Sequence, residues 1–133
     1  MSTQILAQRR ACHALGQIQE HEKAGKDSYK NYVSYAESLP ATILMNGLGQ
    51  ACASLLAKAE GVLEKPHGLL YVDLQSWLCG SDPAVPFKGK PGLMDAIIGS
   101  DQATYFRAQT EALAYLVWLK KFANAYLERG KPE

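Results

Sequence analysis

The segment Tyr105–Leu127 reads YFRAQTEALAYLVWLKKFANAYL, and it is the most informative part of the chain about the architecture. A helix of this sequence is apolar on two sides, because large side chains recur at three- and four-residue spacing in two separate rows. The first row holds Phe106, Leu113, Leu116, Val117, Ala123 and Leu127. The second row holds Tyr115, Trp118, Leu119, Phe122 and Tyr126. A narrow polar stripe through Arg107, Thr110, Lys121 and Glu128 runs along the helix.

A helix that is apolar on two sides must be covered on two sides. Aromatic side chains bury roughly 150–250 Å² each. The second row therefore exceeds the few hundred Å² of apolar patch that a soluble monomer usually exposes. We expect this helix either to stand at the centre of a small bundle or to meet another protein along part of its length. In the second case the candidate interface residues are Tyr115, Trp118, Phe122 and Tyr126.

The totals describe an ordinary globular chain. Its 133 residues predict one domain, 1–133, with a Gly/Pro-rich segment at about 80–92 that we expect to be a flexible loop. Fourteen basic and thirteen acidic side chains leave a net charge of +1. A nucleic-acid binder that acts alone usually carries a large excess of Lys and Arg. Any nucleic acid is therefore expected to be bound weakly or within an assembly.

The cysteines and the apolar segments predict a cytoplasmic protein. Cys12, Cys52 and Cys79 are scattered and contain no CxxC pair, which is typical of reduced thiols. Residues 1–15 contain Arg9 and Arg10 where a signal peptide has its apolar run. No stretch approaches the roughly 18 apolar residues of a membrane span. We expect no membrane association.

The remaining periodicity is helical, and the sequence predicts an all-α bundle of about five to seven helices with a long central C-terminal helix. Helices are expected at about 3–24, 27–38, 69–79 and 93–98, and another is expected to begin at Gly47 or Gly49 and to end near Gly61. Pro40 should end or bend the second helix, since the residue before a proline avoids the helical region. A short turn, 41–45, should follow it and close at Asn46-Gly47. Ser100 or Asp101 should cap the last helix.

The chemistry-bearing residues predict no active site, cofactor or metal centre. His13 and His21 are eight residues apart, about 12 Å along a helix, and His67 is isolated, so no metal site is expected. Gly47-Leu48-Gly49 follows no strand and lacks the third glycine of a dinucleotide fingerprint. Arg107 and Glu111, four residues apart, are read as a helical ion pair. Basic side chains occur on several predicted helices, and gathering them on one face would suit a phosphate backbone.

Three stretches of the chain together resemble one known family, the small subunit of the type III-B CRISPR effector, the Cmr complex. The likeness extends from end to end except for 61–101. It rests on Arg10-Ala11 with Ala14, Leu15 and Ile18; on LPA at 39–41 and NGLGQ at 46–50, followed by Leu55 and Lys58; and on TEAL at 110–113 and WLKKFA at 118–123.

The resemblance implies an all-α protein without catalytic activity or cofactor. Copies would stack head to tail into a minor filament beside the guide-binding backbone subunits, line the groove where guide and target RNA pair, and contact the large polymerase-like subunit. Matched positions make the candidate RNA-binding residues Arg10, Lys58, Arg107, Lys120 and Lys121.

Two other hypotheses stay open at this point. The first is a free-standing helical adaptor that dimerises through the last helix and has no nucleic-acid role. The second is a small enzyme in which Arg107, Glu111 and Tyr115 surround a pocket. The enzyme requires these three side chains to converge, although residues four apart on a helix differ by about 40° of rotation.

Overall fold

A computed structural model describes residues 4–24 and 29–127, and within those ranges the backbone forms six α-helices and no strand. The helices are α1 Leu6–Ala24, α2 Tyr29–Asn46, α3 Leu48–Lys58, α4 Pro66–Leu78, α5 Leu93–Gly99 and α6 Gln102–Tyr126. The all-α fold with a long C-terminal helix is therefore confirmed. Four predicted features lie outside the described residues: the start at Thr3, the stop at Gly25, the start at Asp27 and the polar residue Glu128.

The last helix is the central element, because α6 packs against α1, α2, α3 and α4. Its buried face runs between the two predicted rows. It takes Leu116 and Ala123 from the first row and Tyr115 and Leu119 from the second, and it adds Ala108, Glu111 and Ala112, which belong to neither. Outer members of both rows stay exposed: Phe106 by 56%, Val117 by 43% and Tyr126 by 50%. The expectation of a central position is therefore confirmed for the middle of this helix, whereas contact with another protein along its exposed margins stays a prediction.

Helix α2 continues through Pro40 to Asn46, so the predicted helix end at this proline is wrong, and a bend there stays a prediction. A proline inside a helix costs about 3 kcal/mol through a lost hydrogen bond and a clash with the preceding turn. The flanking Leu39 and Ile43 are buried, at 3% and 0% exposure. Full burial of a side chain of this size contributes about 1.5–3 kcal/mol. Packing on both sides of Pro40 is thus sufficient to offset the local cost, and 41–45 is the last turn of α2.

The turn between α2 and α3 follows the predicted chemistry more closely. Gly47 is the N-cap residue of α3, with φ 88° and ψ 159°, a conformation almost restricted to glycine. Two side chains of α6 satisfy the free amides that follow it. Leu48 N–H donates to Gln109 Oε1 at 2.9 Å, and Gly49 N–H donates to the Tyr105 hydroxyl at 2.9 Å. The glycine therefore allows α6 to approach the start of α3.

The other boundaries lie close to the predicted ones. Helix α4 begins earlier than expected, with Pro66 in its first turn, where the missing proline N–H costs nothing. Asp101 is the N-cap of α6, and its side chain accepts a hydrogen bond from Thr104 N–H at 2.8 Å. Of the two predicted caps, Ser100 and Asp101, the structure therefore selects Asp101.

The segment 80–92 has no helix, as expected, but it is packed against the bundle. Val85 and Phe87 are each only 3% exposed. Phe87 N–H donates to Leu78 O at 3.0 Å, and Gly89 N–H donates to Cys79 O at 3.1 Å. These contacts favour one fixed path, and the flexibility of the segment stays a prediction.

Replacing Gly47 by alanine is expected to destabilise the protein by about 1–3 kcal/mol, because φ becomes strained for a residue with a Cβ. The added Cβ would also stand 3.0 Å from the Tyr105 hydroxyl. The midpoint of urea unfolding measures the loss. Gly16→Ala is the matched control: this helical glycine has no neighbour within 4 Å of an added Cβ. It should raise stability by about 0.5–1 kcal/mol. Equal effects of the two substitutions on stability would contradict the conclusion that the backbone conformation at position 47 requires glycine.

Candidate functional site

Asp73 lies in the interior of the bundle and joins three helices. Its carboxylate is 2% exposed and stands on α4 among apolar neighbours. It accepts hydrogen bonds from Gln17 Nε2 at 2.8 Å, from His21 Nε2 at 2.7 Å and from the Tyr32 hydroxyl. Burial, followed by the charge of Asp73, raises the pKa of Tyr32 well above its usual value. The tyrosine therefore stays a neutral donor, and α1 and α2 are both fastened to α4.

Glu111 connects α6 to two other helices in the same way as Asp73 connects α4 to α1 and α2. It is 7% exposed and accepts from Arg10 Nε at 2.6 Å, from Arg10 Nη2 at 2.8 Å and from Trp77 Nε1 at 2.8 Å. The hydrogen bond to Glu111 raises the pKa of Arg10, against an opposing effect of burial. Such a two-pronged guanidinium–carboxylate contact fixes distance and orientation together. It holds α1 and α4 in register with α6.

The predicted pairing of Arg107 with Glu111 is therefore wrong. Glu111 points inward and takes Arg10, a partner 101 positions away in the chain. Arg107 is exposed and donates from Nη1 to the backbone oxygen of Ala84 at 3.1 Å. The helical spacing put the two residues on adjacent turns, but packing of α1 against α6 supplied a closer cation.

A third polar group connects α1 with α4 beside the Glu111 contact. His13 Nε2 lies 2.8 Å from Ser76 Oγ, and that hydroxyl donates to the backbone oxygen of Asp73 at 2.7 Å. Because the serine proton is directed at a carbonyl, His13 acts as donor to Ser76 and not as a base that activates it. Burial lowers the pKa of His13 below its ordinary value, which keeps the ring neutral. The arrangement is a structural contact.

The enzyme hypothesis required Arg107, Glu111 and Tyr115 to converge, and they do not. Arg107 faces outward, Glu111 is held by Arg10 and Trp77, and Tyr115 is 0% exposed. The Tyr115 ring stacks on Trp77 with centroids 5.6 Å apart. Its hydroxyl lies near Ser76 without hydrogen-bond geometry and has no partner in the described part of the chain.

The candidate RNA-binding cations separate into engaged and free groups. Arg10 is engaged by Glu111, which leaves little of its charge for an outside ligand. Lys58, at the end of α3, and Lys121, on α6, are exposed, and Lys120 is half-buried. None of these three lysines forms an ion pair within residues 4–24 and 29–127. Arg107 and Lys120 are thirteen residues apart on α6, about 20 Å along its axis.

The candidate interface residues also separate. Tyr115 is in the core and presents no surface to a partner, because its ring packs against His13 and Trp77. Trp118, Phe122 and Tyr126 form a row at the C-terminal end of α6, with centroids 6.0 Å and 6.4 Å apart. Trp118 and Phe122 are half-buried, and Tyr126 is half-exposed. We call these three residues the C-terminal aromatic row.

An exposed apolar group that the sequence reasoning missed lies at the other end of α6. Leu44 is 69% exposed, Met45 82%, Ile98 74% and Phe106 56%. They belong to the last turn of α2, the last turn of α5 and the first turns of α6, which meet where Tyr105 bonds to Gly49. We call these four residues the junction patch. The available signal was that Leu44 and Met45 fall off the buried face of α2 that Leu39 and Ile43 define.

Neither a membrane span nor a metal centre is found in the part of the chain that the structure describes. No described helix is both long and apolar enough to cross a bilayer. No group of three His, Cys, Asp or Glu side chains converges among the described residues.

Replacing Arg10 by methionine is expected to cost about 2–3 kcal/mol, because the buried Glu111 loses a charged donor. Denaturant unfolding followed by circular dichroism measures the change. Arg9→Met is the matched control on the same helix. Its ion pair with Asp82, at 2.7 Å, leaves the Arg9 side chain 30% exposed, so a clearly smaller loss is expected. A larger loss of stability from Arg9→Met would contradict the conclusion that the Arg10–Glu111 contact stabilises the fold more than the Arg9–Asp82 contact.

Acidification from pH 7.5 to 5.5 is expected to destabilise the wild-type protein more than a His13→Gln variant. The pKa of His13 is lowered in the folded chain, so the unfolded chain takes up the proton first as the pH falls through about 6.5. Above that value both forms are neutral and the group contributes no pH dependence. Urea midpoints at the two pH values provide the comparison, and parallel losses in both proteins would show that His13 is not responsible.

One comparison bears on this arrangement of helices. A family model described as "CRISPR-associated protein (Cas_Cmr5)" matches residues 6–126, from the first residue of α1 to the last residue of α6.

Proposed function

The chain belongs to the Cas_Cmr5 family of CRISPR-associated proteins, and we propose that it is a non-catalytic structural subunit whose copies stack beside the guide-binding subunits and line the groove for guide and target RNA. Membership itself makes the chain a small subunit of the type III-B, or Cmr, complex. The match over all six helices carries the proposal. Stacking, RNA contact and the absence of catalysis are supported by three features of the surface and interior.

The interior polar groups support a structural role. Asp73, Glu111 and His13, the ionisable side chains best placed for acid–base work, are occupied by contacts between helices. A catalytic group needs reach to a substrate proton. In this chain the same groups face other helices and hold the bundle together.

The exposed cations support contact with RNA inside an assembly. Lys58, Lys120 and Lys121 lack acidic partners in the described part of the chain, so each is available to a phosphate. A net charge of +1 gives the isolated subunit little long-range attraction for RNA. Several copies beside a bound guide would present a repeated row of such lysines. Base pairing between guide and target then supplies sequence specificity, and the protein contacts the backbone.

The two exposed apolar regions support head-to-tail stacking. The junction patch includes Phe106, and the C-terminal aromatic row includes Tyr126, twenty residues further along α6. This separation corresponds to about 30 Å. A head-to-tail contact joins two different surfaces and propagates, whereas a twofold dimer uses one surface twice. Two unlike apolar regions at opposite ends of one helix suit the propagating contact.

The adaptor alternative receives less support from the same surface. A twofold dimer through the last helix would use the C-terminal aromatic row twice, with Tyr115 unavailable to it, and would leave the junction patch uncovered. Analytical ultracentrifugation with candidate Cmr subunits separates the two hypotheses. A closed dimer that never joins the complex would favour the adaptor and overturn the proposed function.

Reversing the charge of Lys58, Lys120 and Lys121 to glutamate is expected to weaken target-RNA binding by the reconstituted Cmr complex at least tenfold, because three phosphate contacts become repulsive. Filter binding at two salt concentrations measures affinity and its salt dependence.

The matched control changes the same three lysines to arginine, which keeps the charge and should preserve affinity. Circular dichroism and co-purification verify that both triple variants fold and assemble. Unchanged affinity in the glutamate variant, with normal assembly, would remove these lysines from the RNA-binding surface.

A further inference from the structure

Two aromatic rings from different helices stack at an exposed corner of the bundle. Tyr35, in the middle of α2, and His67, in the first turn of α4, have ring centroids 3.7 Å apart and planes inclined by 14°. Both side chains are half-buried, so part of the pair faces solvent. This pair has no part in the interior contacts around Asp73 and Glu111.

A lysine that has no acidic partner among the described residues lies near the stacked pair. Lys58, in the last turn of α3, is exposed and close enough to His67 for its charge to act on that ring. Burial first, and then Lys58, lower the pKa of His67, so the ring is neutral near pH 7. The neighbouring Lys65 differs, because its ammonium is bonded to Glu60 Oε1 at 2.6 Å.

We propose that Tyr35, His67 and Lys58 form a binding site for one nucleotide of single-stranded RNA, with the phosphate at Lys58 and the base or ribose against the Tyr35–His67 pair. The inference rests on the proposed function and adds an aromatic contact to what would otherwise be charge alone. Proteins that hold single strands without regard to sequence combine cations along the backbone with aromatic faces or edges for the bases. The corner where α2, α3 and α4 meet supplies both.

A purely structural role for the Tyr35–His67 pair leaves two features of this corner of the bundle unexplained. A stacked pair that only attached α4 to α2 would need neither partial exposure nor an unpaired lysine beside it. Aromatic pairs of this kind contribute about 0.5–1.5 kcal/mol to stability wherever they occur. A neutral imidazole next to a cation also keeps a ring nitrogen available as donor or acceptor for a ribose hydroxyl, which is the group that distinguishes RNA from DNA.

Nuclear magnetic resonance on the isolated full chain tests the site, because weak binding at millimolar RNA is visible there. The probe is a ten-residue oligouridylate, added to ¹⁵N/¹³C-labelled protein at pH 7 and low salt. Resonances of Tyr35, Lys58 and the His67 ring are expected to shift together with one binding curve. Lys58→Gln and His67→Ala should each weaken that curve about fivefold or more.

Two controls separate the proposed site from charge and from folding. Lys65→Gln removes a neighbouring lysine whose charge is already paired, and it should leave the affinity unchanged. Tyr35→Phe keeps the ring and should also retain binding, whereas loss of binding in His67→Ala must occur with an otherwise intact spectrum. A ten-residue polyglutamate that shifts the same resonances as strongly would assign the site to acidic protein segments and overturn the inference.

The NMR experiment tests the Tyr35–His67–Lys58 site separately from the proposed function. Shifts centred on Lys120 and Lys121, with none at His67, would refute this site and leave RNA contact by the subunit in place. No shift at any residue would refute the site as well. Incorporation of the wild-type chain into the Cmr complex is measured separately by co-purification, and its failure would overturn the proposed function.

Discussion

Two carboxylates, Asp73 and Glu111, lie inside this bundle, and the helices are packed so that both stay paired. A buried charge without partners costs several kcal/mol, far more than a buried apolar side chain contributes. Asp73 draws its donors from α1 and α2, and Glu111 draws them from α1 and α4. Any sliding of these helices would break a contact to a charged group. The pairings therefore select one register among the many that an alanine-rich interface would permit.

The ion pairs of the bundle determine which cations remain available on its surface. Arg9 forms an ion pair with Asp82, and Arg10 forms one with Glu111. Lys58 and Lys121 are exposed and have no acidic partner in the described ranges. A nearly neutral chain can thus present local positive charge, although its total gives no sign of it. A surface of this kind would attract RNA weakly in a single copy and more strongly when repeated, which is the arrangement proposed above for this member of the Cas_Cmr5 family.

Exposed apolar side chains also lie near the two ends of α6. The middle of the helix is enclosed, and exposed apolar side chains collect at the junction patch and the C-terminal aromatic row. The close approach of α6 to α3, made possible by Gly47, places Tyr105 in a hydrogen bond to Gly49 with Phe106 beside it at the surface. Contacts that stabilise the monomer and surfaces suited to assembly therefore share one long helix.

The local pattern of the sequence was sufficient to predict the helices, because the spacing of apolar residues and the chemistry of single positions act within a few residues. Asn46-Gly47 indicated a turn, Ser100 or Asp101 indicated a cap, and the TEAL and WLKKFA stretches pointed to the family that the comparison supports. The buried faces and the charge pairs, in contrast, follow from the folded arrangement alone. Glu111 pairs with Arg10 and not with Arg107, Tyr115 lies in the core while Trp118 is half-buried, and α2 continues through Pro40. These outcomes depend on contacts between residues far apart in the chain, whose geometry no local pattern contains.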